Sequence, residues 1–193
     1  KITFRDLSEY ENVSFQGFRG DIYVKEAVIP EGASVIPKSQ FFGCRSLEKL
    51  HLPESVSVIG DYAFADCHVL KVWESIEKLS LKLVGTSAFE NCYALEFISL
   101  PDSLTVIEGA AFAECVSVNK LIFSDTSLLK KIGDHAFRGC RNLKEVYLPD
   151  SVEYVGISAF RDCVSLEQIS VSEKIKDQPG IAELEKNCPN ARI

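Results

Sequence analysis

The chain has 193 residues, 46% of them hydrophobic, which is enough for a substantial core but does not decide between one domain and two. The formal net charge is −7 and acidic residues are interspersed with basic ones, so there is no basic patch for a phosphate backbone and no nucleic acid partner is expected. No apolar run approaches the roughly 18 residues of a membrane span and no secretory signal pattern is present, so we expect no direct membrane insertion.

The N-terminal segment already follows the pattern of the later repeats. Ile2 and Phe4 have the spacing of two inward strand positions, so residues 1–16 are interpreted as a repeat whose earlier part has been cut away. Because a solenoid end without a polar cap exposes its core, we expect further sequence upstream of Lys1.

From residue 17 onward a five-residue segment, Ala-Phe-x-x-Cys, recurs in fixed register. Strict copies occupy 63–67, 88–92, 111–115, 136–140 and 159–163, and looser copies occupy 17–21 and 40–44. The pattern predicts a buried phenylalanine ladder formed by Phe18, Phe41, Phe64, Phe89, Phe112, Phe137 and Phe160. Ser or Asp often stands just before this segment, as at Asp61 and Ser87, which predicts one helical turn capped by that side chain.

The cysteines keep the same register. They lie at 44, 67, 92, 115, 140, 163 and 188, so their intervals alternate between 23 and 25 residues. A residue that occupies the same place in every repeat is expected to be a small buried side chain, and we predict reduced thiols. Disulfides between neighbouring coils remain an alternative, because coils about 4.8 Å apart are close enough for a bridge.

Apolar residues follow each cysteine at plus three, plus six and plus eight, as in Leu47, Leu50 and Leu52. The alternation over the last two positions predicts one short parallel strand per coil, within a sheet that spans several coils. Proline often closes this strand, as at Pro53. A second apolar column lies five residues before the phenylalanine and is often followed by glycine, which predicts an inward position and a tight turn. The extra residues of the longer coils fall after the strand, near 73–78 and 124–128.

The C-terminal residues 179–193 abandon the Ala-Phe pattern. Pro179 precedes an apolar spacing at Ile181 and Leu184 that predicts a short amphipathic helix, which we interpret as a C-terminal cap. The expected organisation is a single domain over 1–193, built from about seven to eight coils.

The outward strand positions, plus five and plus seven from each cysteine, carry the candidate function. Four of them are apolar where a solvated sheet should be polar, and three charged neighbours would form a rim. The predicted partner-binding residues are therefore Val72, Phe97, Ile122, Tyr147, Lys49, Lys120 and Glu145. The alternative is ordinary β-propensity, because these apolar residue types are favoured in strands whatever they contact.

No constellation for catalysis or metal binding emerges. His51, His68 and His135 occupy different repeat positions and share no metal-ligand spacing. No phosphate loop, nucleophile elbow or zinc-protease motif is present, so we predict no catalytic residue, no metal and no cofactor.

The strand Leu-x-x-Ile-x-Leu-Pro, the Ile-Gly turn and the Ala-Phe-x-x-Cys segment together resemble the BspA-like leucine-rich-repeat family. The resemblance implies a right-handed leucine-rich-repeat superhelix, located at the cell surface or secreted, that serves adhesion or protein binding without enzymatic activity. It implies a protein partner of host or extracellular-matrix origin. The chain departs from the family in its alternating period and in Leu70-Lys71-Val72-Trp73, where the strand pattern is less regular. The alternative function is a structural or self-associating segment of a longer protein.

Overall fold

A computed structural model of the protein describes residues 2–3, 17–74, 78–188 and 191–193. The predicted N-terminal repeat over 1–16 therefore lies outside the described residues, except for strand β1 (Ile2–Thr3), which pairs in parallel with the next coil.

The described chain winds into a parallel β-solenoid of about six turns with almost no helix, which confirms the predicted fold class. Each coil contributes one three-residue strand at the predicted place, and wherever the structure describes its side chain the middle residue points into the core, as Leu50 and Ile98 do. These strands are β2 (Glu26–Val28), β4 (Lys49–His51), β6 (Val72–Glu74), β8 (Phe97–Ser99), β10 (Lys120–Ile122), β12 (Glu145–Tyr147) and β14 (Gln168–Ser170).

The second apolar column also forms strands, so a full coil has two strands rather than the single one predicted from the sequence. The additional strands are β3 (Val35–Ile36), β5 (Val58–Ile59), β7 (Leu83–Val84), β9 (Val106–Ile107), β11 (Lys131–Ile132) and β13 (Tyr154–Val155). They pair in the order β13-β11-β9-β7-β5-β3 in one unbroken parallel sheet. Two residues are too few to show an alternating pattern in the sequence, which is why the column was interpreted as a turn.

The glycines after this column serve close approach between coils rather than a tight turn. Gly85 has a φ outside the left-handed region, and a Cβ placed on it would lie 2.7 Å from the backbone nitrogen of Asp61 in the preceding coil. A side chain would therefore push the two coils apart.

The sheet of three-residue strands is not continuous, contrary to the sequence-based expectation. Its strands divide into the groups β1-β2-β4-β6, β8-β10 and β12-β14. The two breaks follow β6 and β10, which belong to the 25-residue coils. We infer that the two extra residues after each of these strands displace it from hydrogen-bonding register with the next coil.

The Ala-Phe-x-x-Cys segment forms consecutive turns, not the capped helical turn that was predicted. Ser87 and Asn91 have φ values of 52° and 61°, and their N–H groups donate to carbonyl oxygens of the next coil, 2.9 Å away in both cases. The Asp61 carboxylate likewise accepts the N–H of Thr86 in the next coil. These hydrogen bonds run between coils, whereas helical ones would stay within the segment.

The phenylalanine ladder is confirmed. The rings of Phe41 to Phe160 are essentially inaccessible to solvent, and Phe18 at the first described coil is half-buried. Neighbouring rings are stacked nearly parallel, with centroid distances from 5.1 Å for Phe64 and Phe89 to 5.8 Å for Phe18 and Phe41.

Two single-turn helices close the last coil where one short helix was predicted. They are α1 (Pro179–Ala182) and α2 (Leu184–Asn187), and they bury Ile181 and Leu184. Glu183 between them accepts hydrogen bonds on Oε2 from the N–H and hydroxyl of Ser158, at 3.2 and 3.0 Å. In earlier coils the N–H at this position, such as that of His135, donates to a carbonyl oxygen of the next coil. In the last coil the Glu183 carboxylate replaces that carbonyl.

No helix within the described ranges is long and apolar enough to cross a membrane.

Candidate binding surface

The outward residues of the three-residue strands include three large apolar side chains. Phe97 is 39% exposed, Ile122 is 37% exposed and Tyr147 is 54% exposed. The predicted rim residues Lys49, Lys120 and Glu145 are exposed as well. Val72 lies at the predicted strand position, but its side chain is outside the described part of the structure.

Strand register shows which of these residues share a continuous surface. Phe97 lies directly opposite Lys120 in the β8-β10 sheet, and Ile122 lies opposite Ser99. The two apolar residues are therefore diagonal neighbours on strands about 4.8 Å apart. Lys49 pairs with Val72 in the first sheet, which the break between β6 and β8 separates from Phe97 and Ile122.

Tyr147 and Glu145 lie on the other side of the second break. Their strand β12 is hydrogen-bonded to β14, and it runs beside β10 without a shared ladder. The candidate surface is thus a hydrogen-bonded centre at Phe97, Lys120 and Ile122, with Tyr147 and Glu145 on a separate neighbouring section.

A short contact ties the two outward side chains of β12 together. The Tyr147 hydroxyl donates to Glu145 Oε2 at 3.2 Å. The negative charge of Glu145 raises the pKa of the Tyr147 phenol.

The first coils present a polar face instead. The imidazole Nε2 of His51 lies 3.3 Å from Glu26 Oε1, and both side chains are partly exposed. The apolar character of the surface therefore begins beyond these strands, toward the middle of the chain.

A second group of exposed apolar residues was not predicted from the sequence; it lies on the turns that directly follow the cysteines, which form the turn side of the coils. Tyr93 is 40% exposed and its ring stacks on that of His68, with centroids 4.7 Å apart, while Val164 is 62% exposed. Tyr93 and Val164 each follow a cysteine directly in the sequence. Tabulating that position in repeat register would have revealed them.

The cysteines lie in the core, which confirms their predicted burial. Burial raises the pKa of the Cys115 thiol to about 12. The neutral thiol is a poor nucleophile and a poor metal ligand, so these side chains contribute packing rather than chemistry. Among the residues that the structure describes, no group of three or more His, Cys, Asp and Glu side chains could hold a metal ion.

The family model described as BspA type leucine rich repeat region matches the chain in 6 copies, over residues 11–127 and 82–180. The chain belongs to the BspA-type leucine-rich-repeat family. Proteins with such repeats are generally non-enzymatic modules of protein interaction. A search of curated proteins finds none that matches the chain.

Solved structures of bacterial leucine-rich-repeat proteins share the fold of this BspA-type chain. A leucine-rich repeat protein from Bacteroides ovatus is 30% identical with a TM-score of 0.75, over 84% of this chain and 41% of its own. The T. pallidum leucine rich repeat protein is 32% identical with a TM-score of 0.52, over 76% and 58%. The pneumococcal vaccine antigen PcpA is 26% identical with a TM-score of 0.66, over 82% and 43%. The chain thus spans between two fifths and three fifths of these proteins.

Proposed function

We propose that the chain is a non-enzymatic protein-binding module of a cell-surface or secreted adhesin, and that its partner is a host or extracellular-matrix protein. The partner would dock on the outward face of the three-residue strands. The proposed contact residues are Val72, Phe97, Ile122, Tyr147, Lys49, Lys120 and Glu145.

The observation that carries the proposal is the exposure of Phe97, Ile122 and Tyr147 on successive coils. Aromatic side chains supply a large contact area and have few rotatable bonds, so they are common at the energetic centres of interfaces. The backbone beneath Phe97 and Ile122 is already hydrogen-bonded in the β8-β10 sheet. Binding there orders no loop and loses little conformational entropy.

The charged residues around this centre would select the partner rather than add much affinity. Lys120 and Glu145 carry opposite charges on neighbouring strands and are both exposed. Exposed charges contribute mainly to the association rate and to the rejection of mismatched partners. Salt should therefore slow association while leaving the dissociation rate nearly unchanged.

The test is an affinity capture from mixtures of extracellular-matrix and host cell-surface proteins. Wild type is compared with Phe97→Ser/Tyr147→Ser, and the matched control is Tyr93→Ser/Val164→Ser, which removes two exposed apolar residues from the turn side. The proposal expects a captured protein that the first variant loses and the control retains. If the first variant folds normally and keeps every partner while the control loses them, the turn side is the binding surface.

The second candidate function is a structural segment that associates with itself. The motive is strand β1, which is the end strand of the order β1-β2-β4-β6 among the described strands, because an end strand of a parallel sheet can pair with a strand of a second copy. Light scattering at increasing protein concentration separates the two functions. A mass that grows with concentration supports self-association, whereas a constant monomer mass supports the binding module.

A further inference from the structure

A groove on the unbroken sheet of two-residue strands has features of a small-molecule site. It is lined by Glu108, Gly109, Lys131, Gly133, Asp134 and Tyr154 and has a volume of about 430 Å³. Sites for small ligands fall in the range of about 300 to 1,000 Å³, so the groove is large enough for a ring-sized ligand.

The groove lies where the chain departs from its own repeat. The outward residue of the two-residue strands is aliphatic in four coils and then changes to Lys131 and Tyr154. The four aliphatic residues are Val35, Val58, Leu83 and Val106. Glu108 also departs from the pattern, because it stands where several other coils have glycine. Packing does not require these three changes, and all three converge on one groove.

The polar atoms of the groove form a mixed set of donors and acceptors. Lys131 Nζ donates to Glu108 Oε2 at 2.8 Å. The Tyr154 hydroxyl donates to Asp134 Oδ1 at 3.4 Å, and the same oxygen accepts the N–H of Ile157. Within the described part of the chain, the second oxygen of each carboxylate accepts no hydrogen bond. These oxygens, the remaining Lys131 protons and the Tyr154 hydroxyl are available to a ligand.

The groove also has an apolar wall, which is the ring of Tyr154. This side chain lines the groove and is 38% exposed. A ligand that fits must therefore combine an apolar face with several groups that donate and accept.

We propose that this groove binds one pyranose ring of a glycan. Each hydroxyl of a sugar both donates and accepts, so a vicinal pair can bridge a carboxylate oxygen and the Lys131 ammonium. The C–H face of the ring can pack on Tyr154. An anion is disfavoured, because the two carboxylates of Glu108 and Asp134 outnumber the single ammonium of Lys131. The proposal is independent of the protein-binding surface, which lies on the other sheet.

The test follows backbone amide resonances by NMR during titration with the methyl pyranosides of glucose, galactose, mannose and N-acetylglucosamine. At least one of the four sugars should bind, and because a single ring has few heavy atoms its Kd should be on the order of 1 mM. Shifts are expected at the amides of Gly109, Gly133 and Tyr154.

Two matched variants sharpen the result. Tyr154→Val restores the aliphatic residue of the other coils and keeps a strand-forming residue, and it should weaken binding at least about tenfold. Tyr147→Val makes the same change on the other sheet and should leave the Kd unchanged. The proposal is overturned if none of the four sugars shifts these amides, if both variants weaken binding equally, or if inorganic phosphate or arginine produces the shifts instead.

Discussion

The thiol of Cys115 donates a hydrogen bond to the carbonyl oxygen of Phe89 in the preceding coil, with Sγ and oxygen 3.2 Å apart. The same oxygen accepts the N–H of Cys92 from its own coil, also at 3.2 Å. The relationship recurs at every cysteine, with distances from 3.0 Å at Cys44 to 3.5 Å at Cys140. Cysteine therefore suits this position for two reasons: it is small and apolar enough for the core, and its thiol gives a buried carbonyl a second hydrogen bond.

The first prediction concerns the state of the thiols. A titration with a thiol reagent should find almost no reaction in the native protein near neutral pH, because the thiols are buried and protonated. After denaturation without a reductant, close to seven free groups should react. A count near one would instead indicate a chain of disulfides between coils.

The second prediction is a loss of stability at alkaline pH. Burial raises the pKa of Cys115 from 9.0 to about 12. Below the unfolded-state pKa, the folded and the unfolded chain both hold the thiol proton and the full stability is present. Between the unfolded-state and the folded-state pKa, the unfolded chain releases the proton while the folded chain keeps it. The free energy of unfolding therefore falls over that range by about 1.4 kcal/mol per pH unit for each thiol.

The measurement is urea unfolding under a reductant at several pH values from 8 upward. Cys115→Ala removes one such thiol, so its stability should fall less steeply with pH than that of wild type. Equal slopes in the two proteins would show that the Cys115 thiol titrates alike in the folded and unfolded states.

The third prediction compares two phenylalanines that differ only in their place on the coil. Phe112 is fully buried and stacks between Phe89 and Phe137, with centroid distances of 5.2 and 5.5 Å. Phe112→Ala should lower the free energy of unfolding by about 3 to 5 kcal/mol through loss of packing and the cavity left behind. Phe97→Ala should cost far less, because Phe97 is exposed. Chemical denaturation measures both, and similar losses would mean that the two faces have been assigned wrongly.

The fourth prediction concerns the end of the solenoid. Glu183→Ala removes the acceptor for the Ser158 N–H and hydroxyl, and it should lower the free energy of unfolding by about 1 kcal/mol. Hydrogen exchange at the Ser158 amide should become faster, while exchange at Phe112 in the middle of the ladder should change little. Glu183→Gln keeps a carbonyl acceptor and serves as the control, with a smaller effect expected. Unchanged exchange at Ser158 in the alanine variant would contradict a capping role for Glu183.

Much of the fold followed from repeat register. The inward positions of the three-residue strands, such as Leu50 and Ile98, and the buried phenylalanine and cysteine columns were all predicted correctly, because each occurs many times at a constant offset. The second strand of each coil was not predicted, since two residues such as Val58 and Ile59 carry too little pattern. The turn at Ala-Phe-x-x-Cys was assigned wrongly because Ser and Asp before it resemble helix caps, whereas their hydrogen bonds connect to the next coil.

The candidate surfaces were predictable only in part. That Phe97, Ile122 and Tyr147 face outward followed from strand alternation, and the structure agrees. The separation of Tyr147 from Ile122 by a break in the sheet did not, because hydrogen bonding between coils depends on how each coil is displaced against its neighbour. The groove at Lys131 and Tyr154 was also missed, since these residues lie 23 positions apart and meet only when successive coils stack.

The sequence by itself determined the repeat, the family and the side chains that form the core, because burial in a solenoid depends on position within the coil and this position is repeated along the chain. Only the tertiary structure decided where the sheets are continuous, how the last coil is capped and which outward residues share a surface. These properties depend on contacts between coils, such as Glu183 with Ser158 and Tyr154 with Asp134. Residues 20 to 25 positions apart in the chain meet there at distances that register alone does not specify.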